Sequence, residues 1–206
     1  MQSSHIQAVI FDYGGVLVQT RQQEPRAVWE RQLGMAPGAL TRLVHDAQVW
    51  VDAQRGVITT EAHWQTVGTT LGLTAEDLTG LRSAFYRGDV LNTDLLAYIE
   101  HLRRAGIRLG LLSNFSTDLR AMLGQQDLLW CFDQIAISAE IGIMKPAAAA
   151  YETILDMLEM EAPACVFVDD LSANVAAAQA LGLHGIVFRD TVSCLAELEC
   201  VLAGSV

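Results

Sequence analysis

Lysine is almost absent from this 206-residue chain. A single lysine, Lys145, stands among 13 basic residues, and arginine fills every other basic position. With 24 acidic residues the formal charge is −11. No basic stripe appears, which excludes nucleic acid and anionic membrane surfaces as expected partners. Cysteine is also scarce. Cys131, Cys165, Cys194 and Cys200 form no Cys-x-x-Cys pair, so neither a disulfide framework nor a thiolate zinc site is expected. Free thiols suit a reducing compartment, and the expected location is cytoplasmic. Residues Met1 to His5 are polar, and the apolar run after them is too short for a secretory signal. No apolar stretch reaches the length of a membrane span. Repeats, low-complexity tracts and charge blocks are missing too.

Apolar residues are abundant, at 51% of the chain, and mean hydropathy is positive. That supplies one sizeable core, or a core with a small insert. It also points to an apolar face shared by two copies, a homodimer. Short β-rich runs at 7–11, 107–112, 134–138, 165–168 and 185–188 lack strict polar alternation. Strands buried on both faces by helices have that character. Between the later runs lie helical repeats. Residues 94–105 place Leu95, Leu96, Ile99 and Leu102 on one face, and 147–158 place Tyr151, Ile154, Leu155 and Leu158 likewise. Residues 173–181 are alanine-rich and stop at Gly182. The expected fold class is α/β, a three-layer, Rossmann-like parallel sheet.

One interval breaks the alternation. From about residue 24 to residue 88, within a cap placed at 21–88, the chain carries only helical signals, at 29–33, 39–51, 60–71 and 75–86, punctuated by Gly34, Gly56, Gly72 and Gly88. Thr74 with Asp77 resembles a capping box at the start of the last helix. A right-handed crossover between parallel strands needs only one helix. The surplus therefore reads as an inserted α-helical cap over the sheet's carboxyl edge, with 1–20 and 89–206 forming the α/β core.

Ligands of open α/β sheets bind beyond the carboxyl ends of the strands. The residues there form a set. The first run ends at Asp12, followed by Gly14-Gly15. The second ends at Ser113-Asn114. The third leads into the loop of Lys145, and the fourth ends at Asp169-Asp170. Each has a plain alternative, since Asp and Ser cap helices and paired glycines make turns. Together they deliver carboxylates, a hydroxyl, an amide and an ammonium to one edge. Three carboxylates so placed repel one another unless a cation intervenes. An all-oxygen donor set suits Mg²⁺. Aspartate can also act as a covalent nucleophile in phosphoryl transfer. A compact ammonium fits a crowded anionic pocket better than a planar guanidinium.

In order and type these residues resemble the four motifs of the haloacid dehalogenase (HAD) superfamily. The stretches Ile143-Met144-Lys145-Pro146 and Val168-Asp169-Asp170-Leu171-Ser172-Ala173-Asn174 are most similar to one helical-cap subgroup. That subgroup includes sugar-phosphate phosphatases and the amino-terminal phosphatase domain of soluble epoxide hydrolase. The resemblance implies a small phosphorylated substrate and an aspartyl-phosphate mechanism. It assigns Asp12 as nucleophile with Lys145 as its catalytic partner. Ser113, Asn114, Lys145 and Gly15 would bind phosphate, and Asp12, the Gly14 carbonyl and Asp170 would bind Mg²⁺. Asp169 acts from behind through water, and Asn174 orients the metal or the Lys145 side.

One position departs from the pattern. Most HAD phosphatases carry a second aspartate, an acid–base, two residues after the nucleophile, and here that residue is Gly14. General acid–base help is worth about 10²–10⁴-fold. Two other readings follow: a metal-free 2-haloacid dehalogenase, which the paired acids Asp169-Asp170 disfavour, and a non-catalytic HAD-like binding protein. His5, His45, His63, His101 and His184 share no ligand spacing and read as surface or packed imidazoles. Trp29, Trp50, Trp64 and Trp130 read as packing aromatics. Arg21, Arg26, Arg55 and Arg87 are candidates for the cap entrance, with solvated surface charge the commoner role.

Overall fold

The computed structural model describes residues 5–45 and 47–204. Asp46, Met1 to Ser4, Ser205 and Val206, which fall within segments read above, lie outside the described residues. Five strands form one parallel sheet: β1 (Ala8–Phe11), β4 (Arg108–Ser113), β5 (Gln134–Ile137), β6 (Cys165–Asp169) and β7 (His184–Val187). Their order is β5-β4-β1-β6-β7. The chain builds outward from β1 to one edge, then returns to build the other. The site therefore falls at the switch point beside β1, where the loops diverge and leave a crevice.

Side chains alternate across each strand and feed two buried layers. Val9, Phe11, Leu109, Leu111, Val166 and Val168 pack on one side with α6 (Thr93–Arg104), α7 (Asp118–Gln125) and α11 (Thr191–Leu202). Ala8, Ile10, Leu112 and Phe167 face the other side, against α9 (Ala148–Leu158) and α10 (Ser172–Ala180). The three-layer expectation holds, because strands covered on both faces have no polar side to alternate with. Asn92 starts α6 by accepting a hydrogen bond from Leu95 N at 3.2 Å, one residue before the sequence pattern places the helix.

The interval after β1 holds α1 (Glu24–Gln32), α2 (Ala39–His45), α3 (Gln48–Gln54), α4 (Thr60–Leu71) and α5 (Ala75–Arg87). These helices have their own core of Leu40, Val44, Trp64, Val67, Leu81 and Phe85. The single helix expected at 39–51 is two helices, since Ala47 is extended (ψ 149°) and opens α3 as its N-cap. The capping box is half formed. Thr74 Oγ1 accepts from Asp77 N at 3.2 Å, but the Asp77 carboxylate takes the Thr74 hydroxyl instead of returning to a backbone amide.

A two-stranded antiparallel ribbon was not expected: β2 (Val18–Thr20) pairs with β3 (Asp89–Leu91). It carries the chain out to the five helices and back. Arg26 clamps it, with Nη2 donating to Thr20 Oγ1 and Asp89 Oδ1, both at 3.1 Å, and Nε donating to Phe85 O at 2.7 Å. Three-residue strands paired across such a sequence gap leave no periodic signal. Among the described residues no helix is long and apolar enough to cross a membrane. Trp130, read as a packing aromatic, is 47% exposed.

Candidate active site

Asp12 leaves β1 at the centre of the sheet. Its amide donates to Val168 O at 2.9 Å, which sets it beside Asp169 at the tip of β6. Lys145 reaches between them. Its Nζ lies 3.0 Å from Asp12 Oδ1 and 2.6 Å from Asp169 Oδ2. All three groups are buried; Asp12 is 8% exposed, Lys145 3% and Asp169 0%. A lone cation between two buried carboxylates relieves a repulsion that would otherwise force one to take a proton. Burial still dominates at Asp12 and pushes its carboxyl up to about 6; Lys145 opposes this and Asp169 adds to it. Asp170 is also raised, by burial first and then by Asp169.

Asp169 has no spare capacity. Oδ2 accepts from Lys145 and Asn174, and Oδ1 accepts from Asn174 at 3.0 Å and from Leu171 N at 2.8 Å. Asp169 grips Lys145 directly, and Asn174 holds Asp169 from the Lys145 side. Asp12 and Asp170 are different. Among the described residues, Asp12 Oδ2 and both Asp170 oxygens accept no hydrogen bond from another residue. Carboxylate oxygens of Asp12, Asp169 and Asp170 lie within 4.8 Å of one another. This oxygen-only donor set, with open lone pairs on Asp12 and Asp170, fits Mg²⁺.

The glycines work by absence of a side chain. Gly15 has φ +77°, and a Cβ there would sit 2.2 Å from Asp170 Oδ2, so only glycine allows that carboxylate its position. Its amide donates to Val18 O at 2.8 Å, so any approach of Gly15 to a phosphate is not through that N–H. Gly14 is unlike its neighbour, because its φ is outside the left-handed region and a Cβ would meet nothing within 4 Å. The missing acid–base side chain is thus not excluded by space.

The Asn114 side chain accepts from Lys145 N and donates to Lys145 O, both at 2.8 Å, so it holds the lysine loop. Ser113 is buried at the end of β4, and its hydroxyl makes no hydrogen bond with the described residues. The chain also joins this loop to α3: Gln54 Nε2 donates to Asn114 O at 2.8 Å, and Ser138 Oγ donates to Gln54 O at 2.6 Å.

A cleft of about 720 Å³ opens above Gly14, Gly15 and Asp170 and is closed on its other side by Gln23, Thr41 and Tyr86. Of the four candidate arginines, Arg26 lines the cleft, while Arg21, Arg55 and Arg87 are exposed outside its lining, as the solvated-charge reading has them. Arg26 is occupied by the ribbon. Sequence reading missed Arg189, which lines the same cleft just past β7. It lies two residues past the end of the fifth strand, where a lone arginine carries no motif of its own. His45 borders the cleft as well, and burial drives its pKa down to about 4, so its imidazole is neutral. His63 lies in the helical core with Nε2 at 3.0 Å from Val44 O.

Over 199 residues the chain is 29% identical to the sesquiterpene phosphatase astK of Aspergillus oryzae, covering 93% of this chain and 94% of that one. It is 32% identical over 116 residues to bifunctional epoxide hydrolase 2 of Rattus norvegicus, where the match covers 54% of this chain and 21% of the relative. A HAD family enzyme of Bacteroides thetaiotaomicron, solved with magnesium and inorganic phosphate, superposes with a TM-score of 0.76. It shares 18% identity over 92% of this chain and 98% of that one, and so supports the fold. Residues 6–182 match the haloacid dehalogenase-like hydrolase family. That span takes in all of the strand tips that converge on Lys145, and the chain belongs to this hydrolase family.

Proposed function

We propose that the protein is a Mg²⁺-dependent phosphatase acting on a small phosphorylated metabolite through an aspartyl phosphate. The observation that carries this reading is Lys145 held between Asp12 and Asp169, with Asp170 presenting unpaired oxygens alongside. Similarity along nearly the whole chain to a protein named a sesquiterpene phosphatase supports phosphate-ester chemistry. Residues 21–88 serve as the cap, with 1–20 and 89–206 as the catalytic core. Asp12, the Gly14 carbonyl and Asp170 would hold Mg²⁺, which neutralises the cluster and draws in the phosphate dianion. Four free cysteines, three of them buried, fit a reducing cytoplasm.

One carboxylate oxygen of Asp12 forms the new bond to phosphorus as the ester P–O bond breaks. Lys145 keeps Asp12 ionised beside its neighbours and balances charge on the phosphoryl group. The Ser113 hydroxyl donates to a phosphoryl oxygen. The departing alkoxide takes its proton from solvent, because Gly14 has no side chain to supply one. Water then attacks the aspartyl phosphate, releasing inorganic phosphate and restoring the carboxylate. Esters of acidic hydroxyls therefore turn over fastest.

The test is turnover of p-nitrophenyl phosphate with Mg²⁺, with chelator, and in Asp12→Asn. Activity that needs the metal and disappears in the variant is expected. Halide release from 2-chloropropionate in the presence of chelator would replace this reading with dehalogenation. Phosphate binding without turnover would make the chain a binding protein.

A further inference from the structure

The cleft of about 720 Å³ is far larger than one phosphoryl group and leaves room for the rest of a substrate. Among the described residues two arginines line it, Arg26 and Arg189. Arg26 is consumed: it donates to Phe85 O, Thr20, Asp89 and Thr41, and its guanidinium lies 4.0 Å from the Phe85 ring centre. Arg189 is exposed, and among the described residues it makes no ion pair or hydrogen bond.

The acid beside it is turned to another task. Asp190 caps α11, with Oδ1 accepting from Ser193 N at 2.9 Å and Oδ2 from the Ser193 hydroxyl at 2.7 Å. On the other side, Phe188 is buried and its amide donates to Asp169 O at 2.9 Å. The Arg189 backbone is thus anchored at both flanks, one strand tip away from the Asp12–Lys145–Asp169 cluster, while its donors stay open. A planar fork of this kind recognises phosphate or carboxylate oxygens in pairs.

We propose that Arg189 is a specificity-determining residue that receives a second anionic group, phosphoryl or carboxylate, carried on the same molecule as the ester cleaved at Asp12. This rests on the phosphatase reading. It defines the substrate class as a phosphate ester bearing a remote anion.

The experiment compares wild type, Arg189→Ala and Arg189→Lys on matched substrates: fructose 6-phosphate against fructose 1,6-bisphosphate, and glycerol 3-phosphate against 3-phosphoglycerate. p-Nitrophenyl phosphate serves as the one-anion reference. Wild type is expected to prefer the two-anion member of at least one pair, which tells whether phosphoryl or carboxylate is read. Arg189→Ala should raise KM for that substrate by roughly ten- to a hundredfold more than for p-nitrophenyl phosphate, the loss of one charge-assisted contact. Arg189→Lys should recover part of the difference, because it keeps the charge without the fork. Equal penalties on one- and two-anion esters, or a wild-type preference for one-anion esters, overturn the role of Arg189 and leave the phosphatase reading standing. Absence of p-nitrophenyl phosphate turnover by wild type overturns both.

Discussion

Replacing Gly14 with aspartate tests the catalytic reading at its weakest point. The substitution is sterically open, since a Cβ meets no atom within 4 Å and the backbone φ suits an ordinary residue. The same change at Gly15 would drive a Cβ to 2.2 Å from Asp170, so it serves as the contrast. A carboxyl at position 14 stands two residues from the nucleophile and borders the cleft, where a departing oxygen needs a proton. General acid catalysis contributes about 10²–10⁴-fold. The low end applies here, because the new acid joins three others and nothing has evolved to orient it. A gain of about 100-fold in kcat on an alkyl phosphate corresponds to about 2.7 kcal/mol of barrier. The gain should shrink toward unity for p-nitrophenyl phosphate, whose leaving group needs little protonation. Gly14→Ala controls for backbone stiffening, and it should not accelerate either substrate. The assay is initial-rate kinetics with Mg²⁺ across esters of graded leaving-group pKa. If Gly14→Asp folds and binds metal yet the alkyl ester gains nothing, the proton comes from elsewhere and the argument from Gly14 is wrong.

Three further outcomes follow from the site. Lys145→Met leaves Asp12 and Asp169 facing each other without a cation, and breaking a buried pair costs about 3–5 kcal/mol. Urea titration of the metal-free protein should show that loss, and an unchanged midpoint would contradict the geometry. Asn114→Ala removes both hydrogen bonds to the Lys145 backbone, worth about 2 kcal/mol together. Turnover should fall with stability, and a pure rise in KM would instead mean that the Asn114 side chain touches substrate. The third concerns pH. Asp12 ionises at about 6 without metal, above its ordinary 3.8, so protons compete with the cation for its oxygens. Mg²⁺ affinity should be full above about pH 7 and fall as pH drops through 6, as calorimetric titration would read. The metal-free fold runs the other way. The folded state binds this proton more tightly than the unfolded one, so the stability contributed is complete below pH 3.8 and is lost as pH rises through 6.

The chain's own pattern was enough for the architecture. Apolar runs without polar alternation demand cover on both faces, and the helical repeats between them supply it, so the three-layer sheet and the chemistry at four of its strand tips were legible. Local order also marked the extra helices between β1 and β4. What local pattern could not carry was pairing over distance. The β2–β3 ribbon joins residues 18–20 to 89–91, and three-residue strands hold no period that reveals a partner. The use of each polar group was likewise undecided. Asn114 and the Gly15 amide look free in the sequence, but Lys145 and Val18 take them once the strands align. Arg26 and Arg189 are the same residue type, and folding surrounds one with acceptors and leaves the other open to the cleft. Residue identity determined which chemistry was on offer, whereas hydrogen-bond satisfaction in three dimensions decided which groups remain available to perform it.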